Sequence, residues 1–171
     1  FPAAKAMSIA ENLYMNGYIS YPRTDNTVYP TSLDLRGILG ELSSVPEFSE
    51  LCASLLSREK LGPMQGKKQT TDHPPIYPTA AAPRGKLSAP EWRIYELVAR
   101  RFMATLAWEA VVLSVRADLT CGPEPFVARG SRVSEEGWYR FYPYGRKKEV
   151  MLPHLEEGEE VAVEGDELRR G

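Results

Sequence analysis

The sequence predicts an α+β protein in which a helical part precedes a β-rich part. Apolar residues recur at helical spacing as far as Leu106, and beyond Trp108 they alternate with polar ones at a period of two. Charge divides at the same place. Residues 1–108 carry 12 basic and 10 acidic side chains, whereas 109–171 carry 9 and 13.

The elements follow in order. Pro2 suits the first turn of a helix, and Ala3, Ala6, Met7, Ala10, Leu13 and Tyr14 share a face that Asn16-Gly17 terminates. Thr31 or Ser32 is expected to cap a second helix through Leu42. Pro46 opens a third along Phe48, Leu51, Cys52 and Leu55. Residues 59–87 are rich in Lys, Gly, Pro and Thr without apolar periodicity, so they read as a long loop, and loops of that length are usually functional or disordered. Ser88-x-x-Glu91 is a capping-box signature, ahead of Ile94, Leu97, Val98, Phe102 and Leu106 on one face. Val111–Thr120 reads as a half-buried strand. Shorter strands are expected at Phe126–Arg132, Trp138–Tyr142, Glu149–Leu152 and Glu160–Glu164, and the acidic tail as solvated turns. Trp92, Tyr95 and Trp108 read as core or interface aromatics.

Composition excludes several classes. A hydrophobic share of 43% with 26% charged residues is that of an ordinary globular chain, not of a disordered or collagen-like one. No run approaches the ~18 apolar residues of a membrane helix, and the start does not read as a signal peptide. Cys52 and Cys121 are too far apart for a metal spacing and read as buried free thiols in a reducing compartment. The net charge of −2 argues against a uniformly basic nucleic-acid binder. A local basic surface is still present: Arg58–Arg101 holds nine basic against four acidic residues, while Glu156–Glu167 holds seven acids and no base.

Two runs carry chemistry. In Gly17-Tyr18-Ile19-Ser20-Tyr21-Pro22-Arg23-Thr24-Asp25-Asn26, Pro22 pushes Tyr21 to an extended conformation, which points Tyr21 and Arg23 the same way. Arginine's planar fork binds two phosphate oxygens, and a tyrosine becomes a nucleophile once a cation or base favours its phenolate. In Thr70-Thr71-Asp72-His73-Pro74-Pro75-Ile76-Tyr77-Pro78-Thr79, His73 sits in a stiff loop flanked by Lys67 and Lys68. There it is placed to donate to a phosphate or shuttle a proton. The same residue types also make an ordinary turn and a surface histidine, and taken singly they leave both readings open. His154 has no such neighbours and is assigned no role.

Taken as a pair, the runs resemble a family. Ser20-Tyr21-Pro22-Arg23-Thr24-Asp25-Asn26 closely resembles the active-site tyrosine motif of type IA DNA topoisomerases. Asp72-His73-Pro74-Pro75-Ile76-Tyr77-Pro78-Thr79 resembles the histidine motif that follows it, and the wording of both is most similar to archaeal topoisomerase I. The resemblance covers nearly the whole chain. It implies a winged-helix-like catalytic-tyrosine domain over most of 1–108 and an incomplete β-rich segment of the gate or arch domain over 109–171.

It also implies that Tyr21 attacks a phosphate of single-stranded DNA to give a 5′-phosphotyrosyl link, with Arg23 and His73 assisting. Thr24 and Asp25 order the loop, and Lys67, Lys68, Thr79 and Arg84 are weaker candidates for DNA contact. Strand passage and resealing then need no ATP. Bacterial members carry acidic and arginine residues around the histidine where this chain has Pro74, Pro75 and Tyr77, so that arginine's role is not transferred. The family's Mg2+ lies in an acidic domain without counterpart here, and no Asp-x-Asp cluster replaces it. We therefore expect a cofactor-free fragment, inactive alone, of a monomeric, nucleoid-associated cytoplasmic enzyme whose partners are single-stranded DNA and its own remaining domains. A non-catalytic single-strand-binding module, the topoisomerase half of a reverse gyrase and an RNA-binding or interaction domain are the competing readings.

Overall fold

Four helices and a two-stranded antiparallel sheet make up the regular structure of the computed structural model, an α+β architecture. Residues 1–146, 148–162 and 165 are described. They divide into two compact units, one holding Phe1–Val111 and Glu135–Arg146, the other Val112–Ser134 and the described residues beyond 146.

In the first unit, α1 spans Ala3–Met15, α2 Leu35–Ser43, α3 Pro46–Leu56 and α4 Ala89–Thr105. Pro2 stands immediately before α1, and Gly17 follows its C-cap Asn16, as the sequence predicts. The cap of α2 is neither Thr31 nor Ser32 but Asp34, whose carboxylate accepts from the Gly37 N–H at 2.9 Å. A carboxylate at this place also meets the positive end of the helix dipole, which a hydroxyl does not exploit. Helix α4 starts on the predicted capping box, the Ser88 N–H donating to Glu91 Oε2 at 2.9 Å. It runs 17 residues as the longest helix among the described residues.

The core gathers around α4. Trp92, Tyr95, Ala99, Phe102 and Met103 are buried against Ile9 and Leu13 of α1, Leu39 and Leu42 of α2, and Phe48, Cys52 and Leu55 of α3. Phe48 stacks on Trp92 with centroids 5.8 Å apart and planes at 10°. Trp108, in contrast, is 46% exposed and carries the Arg58 guanidinium over its ring. Cys52 is buried, its thiol pushed up to about 11 by burial. Cys121 is exposed, contrary to expectation, at the end of a strand most of whose residues are exposed.

The second unit is built on a hairpin of β1, Val111–Cys121, and β2, Glu124–Glu135. Its two-residue turn begins with Gly122 at φ +59°, a backbone angle that a two-residue hairpin turn needs and glycine supplies. The strand is where the sequence places it, but it is not half-buried. Val111, Leu113 and Val115 on one side and Val112 on the other are all at least 40% exposed.

Three further expectations need correction. Trp138–Tyr142 is a 3-10 turn and its exit, not a strand, and its Phe141 enters the core of the first unit. Glu149–Leu152 is reduced to one antiparallel bridge between Val150 and Ser131. Residues 160–162 are not in a strand, and 163–164 lie outside the described residues. Among the described residues no helix is long and apolar enough to cross a membrane.

Candidate functional site

Between α1 and α2 the chain runs through Tyr18–Thr27 without regular structure, bending at Tyr18, Ser20 and Pro22, and the long loop before α4 lies antiparallel beside it. Pairing begins at an Ile19–Pro78 bridge, with the Ser20 N–H donating to the Tyr77 carbonyl (2.9 Å) and the Thr79 N–H to the Tyr18 carbonyl (3.0 Å). At the other end the Thr27 N–H donates to the Lys68 carbonyl (2.8 Å) and the Gly66 N–H to the Thr27 carbonyl (3.1 Å). A Cβ at position 66 would lie 2.5 Å from Thr27 Oγ1, so only glycine permits this approach.

Polar side chains fill the middle, where strand pairing is interrupted by Pro22, Pro74 and Pro75. The Ser20 hydroxyl accepts from the Tyr77 N–H at 3.0 Å. The Thr24 hydroxyl donates to the His73 carbonyl at 3.2 Å and accepts from the Asn26 N–H at 3.1 Å. The Asn26 amide donates to the Thr70 and His73 carbonyls, both at 3.0 Å, and its oxygen accepts from the Val28 N–H at 2.9 Å. Backbone groups in a proline-rich loop have few regular partners, and these side chains supply them.

The outcome is a juxtaposition of residues 52 positions apart. The rings of Tyr21 and His73 lie 4.4 Å apart between centroids, tilted at 43°. Tyr14 of α1 meets Tyr21 edge-on at 5.2 Å, at 75°. One helical turn earlier, Glu11 Oε1 is 2.5 Å from Arg23 Nη2. Tyr21 and Arg23 therefore both face α1, the same-side placement that the sequence predicts. A cleft of about 430 Å3 opens beside them, lined by Met7, Pro22, Arg23, Thr24, Asp25, Thr70, Asp72 and His73.

Of the residues singled out from sequence, Tyr21, Arg23, Thr24 and His73 come together here. Asp25 pairs with Lys68, whose ammonium donates to its carboxylate and holds that carboxyl below the usual carboxylate range. This pair joins the tyrosine segment to the histidine loop. Lys67 is exposed on the same loop. Thr79 directs its hydroxyl to the Gly17 carbonyl at 2.8 Å, which makes it a brace. Arg84 is not in the cluster: it lies 5.9 Å over the Trp92 ring and 3.9 Å from Glu47. Glu11, Tyr14, Ser20 and Asn26 contact the tyrosine segment or the histidine loop, a placement that residue type alone does not reveal. The available signal was the i, i+3 spacing of Glu11 and Tyr14 on the helix leading into the tyrosine.

Chemically, the site joins a phenol, an imidazole and a guanidinium at one cleft mouth, a set suited to a phosphodiester. Among the described residues no group of three or more His, Cys, Asp or Glu side chains forms a metal cage.

A family model described as DNA topoisomerase matches residues 1–171. DNA topoisomerase 1 of Archaeoglobus fulgidus is 52% identical over 159 residues, covering 93% of this chain and 24% of that protein. DNA topoisomerase 1 of Pyrococcus horikoshii is 36% identical over 165 residues, 95% of this chain and 24% of the relative. DNA topoisomerase 3-beta-1 of Mus musculus is 36% identical over 159 residues, 92% and 18% respectively. The chain thus spans about a quarter or less of the length of these relatives.

Proposed function

The chain belongs to the type IA DNA topoisomerase family, and we propose that within a longer polypeptide it supplies the nucleophile that breaks and reseals a single DNA strand. The observation that carries this reading is the packing of Tyr21 against His73 with Arg23 two residues on. The Tyr21 hydroxyl attacks the phosphorus of a backbone phosphodiester. A bond forms between phosphorus and the phenolic oxygen while the bond to the 3′ oxygen breaks. The phenol gives up one proton and the departing 3′ oxygen gains one, leaving a 5′-phosphotyrosyl link and a 3′-hydroxyl. Resealing is the same exchange in reverse. One phosphodiester replaces another, so no ATP is needed.

Roles follow from chemistry. Arg23 offers two parallel N–H donors to the phosphate and favours the negative charge that grows on its oxygens and on the phenolate. His73, its ring packed against that of the tyrosine, holds the scissile strand or passes a proton. Thr24 and Asp25 order the segment. Lys67 and Lys68 give a basic flank for the strand, although Lys68 is paired with Asp25, and Thr79 and Arg84 are engaged with the protein itself. The cleft beside Arg23 and His73 has room for the sugar-phosphate unit next to the cut. No step here is routed through Mg2+; in this reading the metal and its acidic domain belong to the rest of the polypeptide.

In this reading residues 1–108 supply most of a winged-helix-like catalytic-tyrosine domain and 109–171 part of the arch that opens to pass a second strand, with 135–146 packing back into the first unit. The bare apolar residues on both faces of β1 support the arch assignment. The full enzyme acts as a cytoplasmic, nucleoid-associated monomer on single-stranded DNA. Relatives named DNA topoisomerase 1 and 3 lend no support to a non-catalytic module or to half of a reverse gyrase.

The test is covalency. Full-length protein containing this chain, mixed with a labelled single-stranded oligonucleotide and denatured with detergent, is expected to retain label on Tyr21. Tyr21→Phe is expected to retain none. A wild-type protein that yields no adduct, or a Phe variant that still does, overturns the reading.

A further inference from the structure

Arg23 is not waiting in solvent. Its guanidinium is paired with Glu11 of α1 at 2.5 Å, the side chains being 60% and 38% exposed. An ion pair this exposed adds little to stability, about 0–1 kcal/mol. Its placement is more informative. Glu11 precedes Tyr14 by one turn, and Tyr14 touches the Tyr21 ring. The same face of α1 thus engages both reactive residues of the tyrosine segment.

We propose that Glu11 is a positioning residue that occupies the phosphate-binding guanidinium while the site is empty, a carboxylate standing where a DNA phosphate will sit; this rests on the function proposed above. A carboxylate and a phosphodiester present the same feature to arginine, two oxygens sharing negative charge on one central atom. Entry of the strand exchanges one for the other. Giving up the Glu11–Arg23 ion pair is a cost the incoming phosphate has to meet, and that cost weakens the hold on the strand. Glu11 therefore keeps the Arg23 fork extended in the empty state and limits affinity in the loaded one. A topoisomerase that bound its cut strand too tightly would not let it go after resealing.

The cycle that tests this uses full-length protein in a Tyr21→Phe background, so that binding is read without cleavage. The probe is a fluorescent single-stranded oligonucleotide at about 50 mM salt, where surface charges are weakly screened. Glu11→Gln keeps size and removes charge. It is expected to tighten Kd roughly two- to fivefold, the range that breaking an exposed ion pair corresponds to. In an Arg23→Gln background the same change is expected to have no effect, because no guanidinium remains to be released. Glu11→Ala serves as the second variant, with unfolding midpoints confirming that each protein folds. Equal tightening with and without Arg23 indicates general charge repulsion and overturns the inference, as does an unchanged Kd. If either occurs while Tyr21 still forms its adduct, the inference fails alone. Absence of single-strand binding by every variant removes the function and the inference together.

Discussion

Asn26 uses its whole amide to hold the histidine loop. Two donor bonds go to the Thr70 and His73 carbonyls, and its oxygen receives the Val28 N–H. The residue is buried and Thr70 half-buried, while His73 is exposed and its carbonyl also accepts from the Thr24 hydroxyl. Asn26→Ala is expected to cost about 0.5–1.5 kcal/mol per lost hydrogen bond in denaturant unfolding, the range for bonds whose partners keep some access to water or a second donor. Adduct yield should fall with it, because His73 loses part of its anchor. Asn26→Asp is expected to be no better: it keeps the acceptor but aims a carboxylate at two carbonyls. The sequence shows Tyr21, Arg23 and His73 because their chemistry is written in their residue types. It shows Asn26 only as part of a motif, since an asparagine's value lies in which backbone groups it reaches. Glu11 is more hidden still, being an ordinary helix-surface acid until the tyrosine segment folds against it.

Elements differ in how much of their setting is local. Helix α4 is legible because its start is a four-residue device, Ser88 to Glu91. The Ser88 N–H and hydroxyl both donate to Glu91, at 2.9 and 2.5 Å, and they hold that carboxyl below the usual range. A depressed folded value means that this stabilisation is present above the unfolded glutamate's pKa of about 4.3 and is lost as pH falls through the lower folded value. Ser88→Ala is expected to cost about 0.5–2 kcal/mol at pH 7 in urea unfolding. Its deficit should shrink at acid pH, where the wild type loses the same bond.

Further along α4, the buried Tyr95 hydroxyl donates to the Ala80 carbonyl (2.7 Å) and accepts from the Ala82 N–H (3.1 Å), fastening the end of the histidine loop. Burial pushes it up to about 12, so its contribution holds below the ordinary tyrosine value and is lost as pH rises through 12. Trp138–Tyr142 reads as a strand because it is a short aromatic-rich run between turn residues, a composition that a 3-10 turn carries equally well. What decides is Phe141, which finds the core only after the chain has returned from the hairpin. Alternation along β1 correctly announced a strand but says nothing of what covers its faces.

At the scale of the molecule, stability is concentrated in one unit. Every buried apolar residue among the described ones lies in Phe1–Val111 or Glu135–Arg146. The hairpin is long, but length adds backbone hydrogen bonds, not burial, and two strands without a covered face are marginal in water. Val115 and Phe126 are each 55% exposed and Val127 45%, so apolar surface that could stabilise the hairpin remains in solvent. The two units should therefore open independently. In the 171-residue chain, amides of α4 are expected to exchange only on global unfolding of the first unit, and those of β1 and β2 roughly a hundredfold faster or more. Hydrogen exchange read by mass spectrometry resolves the two segments. Within a full-length protein, where an arch would supply further strands, β1 and β2 should gain protection while α4 changes little. Equal protection of β1 and α4 in the isolated chain would mean that the hairpin is stable without cover and would remove the support its bare faces lend to the arch assignment. Protection of the hairpin that stays low in the full-length protein would do the same, since an arch strand must be paired or packed to carry load when the gate opens.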